Sequence, residues 1–420
     1  MKLKDYCSKI GSGATPRGGK NSYKDVGIPL IRSQNVHDWS FRESGLAFIN
    51  EEQADALCSA SVLKNDVLVN ITGDSVARSC IVPDWLVPAR VNQHVAIIRP
   101  TPALNSTYLL AFLQAQRPLL LKLASSGATR NALTKSMLEE LDVTFPPLPI
   151  QEKVAHFIGS IQSKIVLNSR INDHLAGLCE SITVNTSADE KTILADISSQ
   201  VTTKIAYDEA AIDSYVSTES LLPNKGGRQL ASSLPTTGKV TSFKPGDTLV
   251  SNIRPYFKKV WYADRNGTCS NDVVVFRAKE PSLAPYLYSI LRSDSFFEHV
   301  MAGAKGTKMP RGDKKQMMQY RVSKCCDENN LRLLSSMLGQ ISSNNRESGR
   351  IAELRDALLP KLMSGEIDIS RIDIKQLNGH LAALLNMTER KLHHPATTDE
   401  TTRHGSQCVE GRLYRHLRTR

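Results

Sequence analysis

The sequence has no run of about 18 apolar residues, so no membrane-spanning helix is expected and no membrane partner. The opening Met1-Lys2-Leu3-Lys4-Asp5-Tyr6 has no apolar stretch behind it, so no secretory signal is expected, and the expected compartment is the cytoplasm. The eight cysteines (Cys7, Cys58, Cys80, Cys179, Cys269, Cys325, Cys326 and Cys408) form no CxxC pair and have no histidine at metal-ligand spacing. Neither disulfides nor zinc are expected. Catalytic signatures are missing too. Residues 13–20 come near a phosphate loop, but Gly19 follows Gly18, Asn21 follows Lys20, and Pro16 removes an amide donor. Phe145-Pro146-Pro147-Leu148 comes near an Asn-Pro-Pro-aromatic methyltransferase motif, but it lacks the Asn that would hold the target amine, and no Gly-rich cofactor loop accompanies it. None of the ten histidines sits in a recognisable nucleophile or metal arrangement. The expectation is a chain with no catalytic residue, metal or cofactor of its own.

What is present is length and positive charge. A chain of 420 residues is long for one domain, and two or three are expected. Lys and Arg number 53 against 42 Asp and Glu, a formal net charge of +11. That surplus suits a polyanionic partner, because each neutralised phosphate releases a counterion. A basic protein with no nucleic-acid role is equally compatible with charge alone.

The chain also repeats itself with a period of about 180 residues, far longer than a solenoid unit, so domains are duplicated. Ile28-Pro29-Leu30-Ile31-Arg32 in the first half corresponds to Asp213-Ser214-Tyr215-Val216 in the second, both β-like. The turn and buried strand of residues 63–71 match residues 243–253, with Asn65-Asp66 and Pro245-Gly246-Asp247 supplying turn chemistry. Residues 91–100 align with 270–277. An amphipathic helix follows in each half, around Tyr108 and Tyr286. Then come a Gly-rich basic loop (126–131 and 305–311) and a short strand (141–145 and 319–322).

Each half closes on a long helix, expected over about 151–182 and about 329–363. The first has an apolar stripe of Val154, Ile158, Ile161, Ile165, Leu175 and Leu178, interrupted by Asn168 and Asn172. The second has Leu331, Leu334, Leu338, Ile341, Ile351, Leu354 and Leu358, interrupted by Asn345 and Ser348. Steps of three and four are coiled-coil spacing, and a polar residue on the stripe can fix register. The matching interruptions favour pairing of one helix with the other over separate packing on each domain. Thirty helical residues span about 45 Å, more than one turn of DNA at about 34 Å, so an antiparallel pair would act as a spacer between domains.

Four strings in this order have a familiar look: Gly11-Ser12-Gly13-Ala14-Thr15-Pro16; Ile28-Pro29-Leu30-Ile31-Arg32-Ser33-Gln34-Asn35; Phe145-Pro146-Pro147-Leu148-Pro149-Ile150-Gln151-Glu152-Lys153; and Leu358-Leu359-Pro360-Lys361-Leu362-Met363-Ser364-Gly365-Glu366-Ile367-Asp368-Ile369. Over about residues 1–370 the layout resembles the specificity subunits of type I restriction–modification enzymes. The resemblance implies an α+β (mixed α/β) fold: two tandem-duplicated target-recognition domains, 1–150 and 186–328, separated by two long antiparallel coiled-coil spacer helices, 151–185 and 329–368. It implies double-stranded DNA as partner, read as a split asymmetric site, with two methyltransferase subunits and two motor–nuclease subunits docked. S-adenosylmethionine, ATP and Mg²⁺ would belong to those subunits. Beyond the resemblance, 375–394 reads as one more helix and the chain from Pro395 as a disordered basic tail. A stand-alone methyltransferase and a coiled-coil scaffold are the alternatives.

Base reading needs side chains with two hydrogen-bonding atoms, and phosphate contacts need cations, hydroxyls or amides. Loops rich in both supply the candidates. In the first half they are Thr15, Arg17 and Lys20; Arg32, Gln34 and Asn35; Asn70, Thr72 and Arg78; Asn92, Gln93 and His94; and Thr129, Arg130 and Asn131. In the second they are Ser217 and Thr218; Asn252, Arg254, Tyr256, Lys258 and Lys259; Asn271 and Asp272; and Thr307, Lys308 and Arg311.

Overall fold

The computed structural model describes residues 1–16, 18, 22–125, 131–185, 191–323 and 327–369. The helix expected at 375–394 and the basic tail lie outside the described residues. The chain forms two compact units, Met1–Ile165 with Gly349–Arg420, and Val166–Ser348.

In the first unit the strands are β1 (Cys7–Ser12), β2 (Ile28–Ile31), β3 (Val36–His37), β4 (Ser40–Phe41), β5 (Ala47–Ile49), β6 (Ser61–Val62), β7 (Val67–Asn70), β8 (Ser79–Ile81), β9 (Ala89–Val91) and β10 (Val95–Pro100). They make a sheet of order β1-β10-β7-β8, a second of order β5-β2-β9-β6, and a β3-β4 hairpin. Only β2 with β9 pairs in parallel among these strands. Both faces of β7 are covered, which is why it reads as an unbroken apolar run rather than an alternation. Val67 and Val69 join Ile10, Ala96, Ile98 and Tyr108 in one core. Leu68, between them, joins Ile97, Leu30, Ile31 and Val91 in the other.

The second unit builds the same frame from β11 (Lys191–Ile193), β12 (Ser198–Gln200), β13 (Lys204–Ala206), β14 (Tyr215–Val216), β15 (Lys239–Phe243), β16 (Thr248–Ser251), β17 (Val260–Tyr262), β18 (Gly267–Cys269), β19 (Val273–Ala278) and β20 (Arg321–Ser323). One sheet has order β12-β19-β16-β17, the other β13-β15-β18-β14, and β11 pairs with β20. Again a single pair among these, β14 with β18, is parallel. Val250 faces Val274, Phe276 and Tyr286, whereas Leu249 faces Val216, Phe243 and Val275.

The turn before the central strand is duplicated in detail. Asn65 and Gly246 both take a left-handed backbone, φ 68° and 89°, a conformation open to Gly and tolerated by Asn. The next residue, Asp66 or Asp247, is buried and accepts the amide of Leu63 at 2.7 Å or Lys244 at 2.8 Å. Each carboxylate is also held by a two-pronged guanidinium, Arg99 (2.7 and 2.9 Å) or Arg277 (2.7 and 2.6 Å). One expected strand is absent: in 141–145 only Asp142 makes a bridge, to Lys2, with Leu3 and Val143 amides bonded across. Prolines lacking N–H follow, and the Phe145 ring turns instead into an aromatic cluster with Tyr6, Tyr108 and Phe112 at 5.0, 5.7 and 5.1 Å.

The long helices run Leu148–Asn185 and Glu328–Met363. The first begins three residues before the expected start. Pro149 falls in the first turn, where its missing N–H costs nothing. The buried Gln151 side chain clamps that turn, accepting from the Asn105 amide (3.0 Å) and donating to Ala103 O (3.2 Å) and Pro146 O (2.9 Å). The second ends at Gly365, whose φ of 76° lets the Ile367 amide return to Lys361 O at 3.1 Å.

Within each unit the two helices lie side by side, but by different chemistry. In the first unit Ile158 and Ile161 share one apolar core with Ile351, Leu359 and Leu362, and Ile165 and Leu358 pack on its margin. In the second unit the contact is polar. Asn168, 1% exposed, donates to Glu347 Oε2 (2.7 Å), Ser348 Oγ (3.1 Å) and Asn344 O (3.4 Å). Asn172 donates to Asn345 Oδ1 (2.9 Å) and accepts from Asn344 Nδ2 (2.8 Å). Farther along, Cys179 meets Met337, so the pairing is antiparallel. Leu338 is buried and Ile341 half-buried on the same side. Three expected positions shift. Leu178 is 51% exposed and Leu175 half-buried, and the buried positions are Ala176 and Cys179. Asn345 is exposed, and Asn344 takes the buried place. The reason is geometric: one residue turns a helix by about 100°, and the three–four stepping from Asn168 through Asn172 leads to Cys179.

Candidate nucleic-acid interface

The same two loops meet in both domains. After the central strand, residues 71–78 and 252–259 form equal loops, closed by Asn70 N to Arg78 O (2.8 Å) and Ser251 N to Lys259 O (3.1 Å). Each is laid against the end of the Gly-rich loop. In the first domain Gly73 N bonds Asn131 O (3.1 Å) and Leu133 N bonds Ile71 O (2.8 Å); in the second Arg254 N bonds Pro310 O (2.8 Å) and Gly312 N bonds Asn252 O (3.1 Å). Segments some sixty residues apart in sequence thus form one surface, and the repeat places it equivalently in each domain.

In the first domain a hydrogen-bonded chain joins three of the expected clusters. The Thr15 hydroxyl donates to Gln93 Oε1, Gln93 Nε2 meets His94 Nε2 at 3.1 Å, and His94 Nδ1 meets Thr72 Oγ1 at 2.7 Å. Asn131 is exposed beside it. Arg17, Lys20, Thr129 and Arg130 lie outside the described residues. Arg32 and Gln34 converge on Gly45 O, and Arg32 stacks on Tyr23 at 5.2 Å. Three expected readers are internal instead. Asn35 is fully buried, accepting from Arg32 N and donating to Arg42 O. Asn70 is fully buried and donates to Ser33 O (2.9 Å) and Val36 O (3.2 Å). Asn92 is 5% exposed and caps the His94 amide. Their amides satisfy turn backbone that would otherwise be buried unpaired, so they hold loops and do not face a ligand.

Sequence reading found Arg78 here but missed the two groups beside it. The β3-β4 hairpin brings His37 and Arg42 near Arg78. Burial first, then the charges of Arg42 and Arg78, push the His37 imidazole down to about 4. Burial and Arg78 also lower Arg42. Two neighbouring arginines beside an imidazole that stays neutral near pH 7 suit phosphate, which would offset their repulsion. The signal was tertiary, since the hairpin and β8 are distant in sequence.

In the second domain Arg254 adopts a left-handed backbone (φ 49°, ψ 62°), and its Nε is buried with no hydrogen-bond partner. Tyr256 is exposed. Lys259 reaches back to Thr218 O, and its ammonium lies 5.9 Å from the Phe257 ring; burial lowers its pKa. Ser217 caps its own turn, accepting from Glu219 N and Ser220 N. Asn271 is exposed, accepts from Lys204 and donates to Lys239 O (3.2 Å). Thr307 and Lys308 are exposed, and Arg311 pairs with Asp272 at 3.4 Å. Two expectations are corrected. Asn252 is 7% exposed and contributes backbone bonds to the loop floor. Lys258 is tied to Asp294 (2.8 Å), which also holds Lys225 (3.0 Å), so it is not a free cation. Phe257 and Lys204 belong to this surface and were not foreseen.

Cys80, Cys179 and Cys269 offer no nucleophile at this surface. Burial pushes Cys80 and Cys269 up to about 12 and Cys179 up to about 11, so these thiols stay protonated near neutral pH. Among the described residues no three His, Cys, Asp or Glu gather as metal ligands, and no helix is long and apolar enough to cross a membrane.

The described chain is thus an α+β duplication with paired long helices and a matched pair of loops in each domain. Residues 1–176 match the family model of the type I restriction modification DNA specificity domain. A search of curated proteins gives no match. Among solved structures the chain is similar to the S subunit of a type I system from M. genitalium (13% identity, 86% of this chain and 95% of that one, TM-score 0.45). It is also similar to the HsdS subunit from Thermoanaerobacter tengcongensis (14%, 87% and 96%, TM-score 0.35). A third is a chain from a study of complex assembly and conformational transition of the type I R-M system (13%, 86% and 96%, TM-score 0.36).

Proposed function

We propose that the whole chain is the specificity subunit of a type I restriction–modification assembly, with each domain reading one half of a split, asymmetric DNA site. The observation that carries this reading is the duplicated loop pair: one frame in both domains, tipped by unlike residues. The Thr15–Gln93–His94–Thr72 chain tips the first, and Arg254, Tyr256, Lys259, Thr307, Lys308 and Arg311 tip the second. Equal frames with unlike tips suit two unlike half-sites. The chain does no chemistry itself. Two methyltransferase subunits and two motor–nuclease subunits would dock to it, and S-adenosylmethionine, ATP and Mg²⁺ would be bound by them. Mapping methylated bases in the source cell should give a motif of two fixed parts around a gap of undefined bases. A continuous motif would sink the two-headed reading. The purified chain should bind that duplex with steep salt dependence and transfer no methyl group from S-adenosylmethionine on its own. Methyl transfer by the lone chain would make it an enzyme.

A further inference from the structure

The loop of residues 252–259 carries more than cations. Tyr256 and Phe257 stand side by side at its tip, ring centroids 4.6 Å apart, 47% and 38% exposed. Met309, 47% exposed, follows the same surface on the adjoining loop. Exposed apolar groups this large usually collapse onto a protein surface, and here the backbone prevents it. Left-handed residues, Arg254 and Lys258, bracket the tip, and Pro255 is buried between them. The Phe257 amide bonds Arg254 O (3.0 Å), and the carbonyls of Phe257 and Lys258 accept from Asn224 N and Lys225 N, both at 2.8 Å. Residues that are neither glycine nor asparagine hold a left-handed backbone only where their surroundings enforce it, and such strain collects at functional sites. Lys259 lies 5.9 Å from the Phe257 ring, Arg254 opens the loop, and the exposed Lys308 lies on the adjoining loop, so cations accompany the apolar point.

The first domain lacks the device. The left-handed bracket is shared, with Gly73 and Ala77 at φ 73° and 67° in the places of Arg254 and Lys258, but the rings are not: Asp74 and Ser75 take the tip, while Val76 is buried. From this contrast we infer that Tyr256 and Phe257 form an aromatic wedge that enters the stack of the DNA half-site read by the second domain and opens one base step, whereas the first domain reads an undistorted half. The inference rests on the DNA-reading function proposed above. Apolar wedges flanked by cations unstack and kink duplexes.

The test uses the full chain and a duplex carrying the mapped split motif, with 2-aminopurine placed at successive steps of each half. The half read by the second domain is the one whose recognition Arg254→Ala changes. Binding should raise fluorescence at one step of that half and at none of the other. Tyr256→Ala with Phe257→Ala should abolish the rise and weaken binding by about tenfold or more, since ring–base stacking is worth that much. Both rings are exposed, so the thermal melt should be unchanged; Tyr256→Phe should keep the rise. Binding with no rise at any step, or a rise that survives in the double variant, overturns the wedge and leaves the DNA-reading function standing. Loss of affinity for a methyltransferase subunit alone, with the DNA signal intact, assigns the rings to protein docking and also overturns it. A chain that fails to bind the duplex at all removes the DNA-reading function, and the wedge with it.

Discussion

Asp66 in the first domain and Asp247 in the second do the same work: each closes a turn, holds an arginine in two hydrogen bonds, and starts the central strand. Seven residues later the domains part. Gly73 in one and Arg254 in the other take the same left-handed backbone, one without effort and one under constraint. Duplication has kept the frame, where every group is buried and paired, and released the tips, where side chains face outward. The lesson is that burial fixes the shared residues, and ligand chemistry is free to diverge wherever burial stops.

That comparison can be broken most forcefully at the frame. Asp66→Ala and Asp247→Ala should each destabilise their own domain by about 3–5 kcal/mol, because two charge-assisted bonds from a half-buried arginine and one from the turn amide are lost together. Urea denaturation should show similar losses in both; tolerance in one would mean the two frames are alike in shape and not in energetics. The long helices invite the next test. Ile158→Ala, in the apolar stretch, should cost about 2–4 kcal/mol. Asn168→Ala, in the polar stretch, should cost about 1–2 kcal/mol through lost hydrogen bonds. A larger loss at Asn168 than at Ile158 would mean the polar layer, not the apolar one, dominates the pairing.

At the tips, Arg254→Gly should relieve the backbone and raise stability by up to about 1 kcal/mol, while weakening recognition of one half-site by about 1–3 kcal/mol. Competition binding against each altered half would show it, and equal loss at both halves would count against separate reading heads. The smallest effect concerns His37. Its folded-state pKa, about 4, lies below the usual histidine value, so between about pH 6.5 and 4 the unfolded chain binds more protons. Stability of the first domain should therefore fall as pH drops through that window, by about 1 kcal/mol once solvent screening is allowed for. His37→Gln should flatten the slope. The second domain has no counterpart at that hairpin and should not share it.

Much of the frame was legible. Turn residues Asn65-Asp66 and Pro245-Gly246-Asp247 preceding apolar runs located both central strands, and stripes of three–four spacing located both long helices. The site was less so. Asn35, Asn70 and Asn92 are the residue type that reads adenine, yet the fold places them in buried turns, because an amide satisfies orphaned backbone as readily as a base edge; Asn252 is buried too, bonded through its backbone. Lys258 has the right charge but is neutralised by Asp294, which lies in a helix 36 residues away. His37 and Arg42 were missed for the opposite reason: nothing local marks them as neighbours of Arg78.

The sequence by itself determined the duplication, the turns, the strands that follow them and the helices, since each depends on spacing within a few residues of chain. Only the tertiary structure decided which polar side chains point outward, where Asn344 rather than Asn345 is buried, and that the strand-tip loop lies against the Gly-rich loop in each domain. Those outcomes depend on which distant groups compete for each donor, acceptor and charge, and that competition is settled when the cores close.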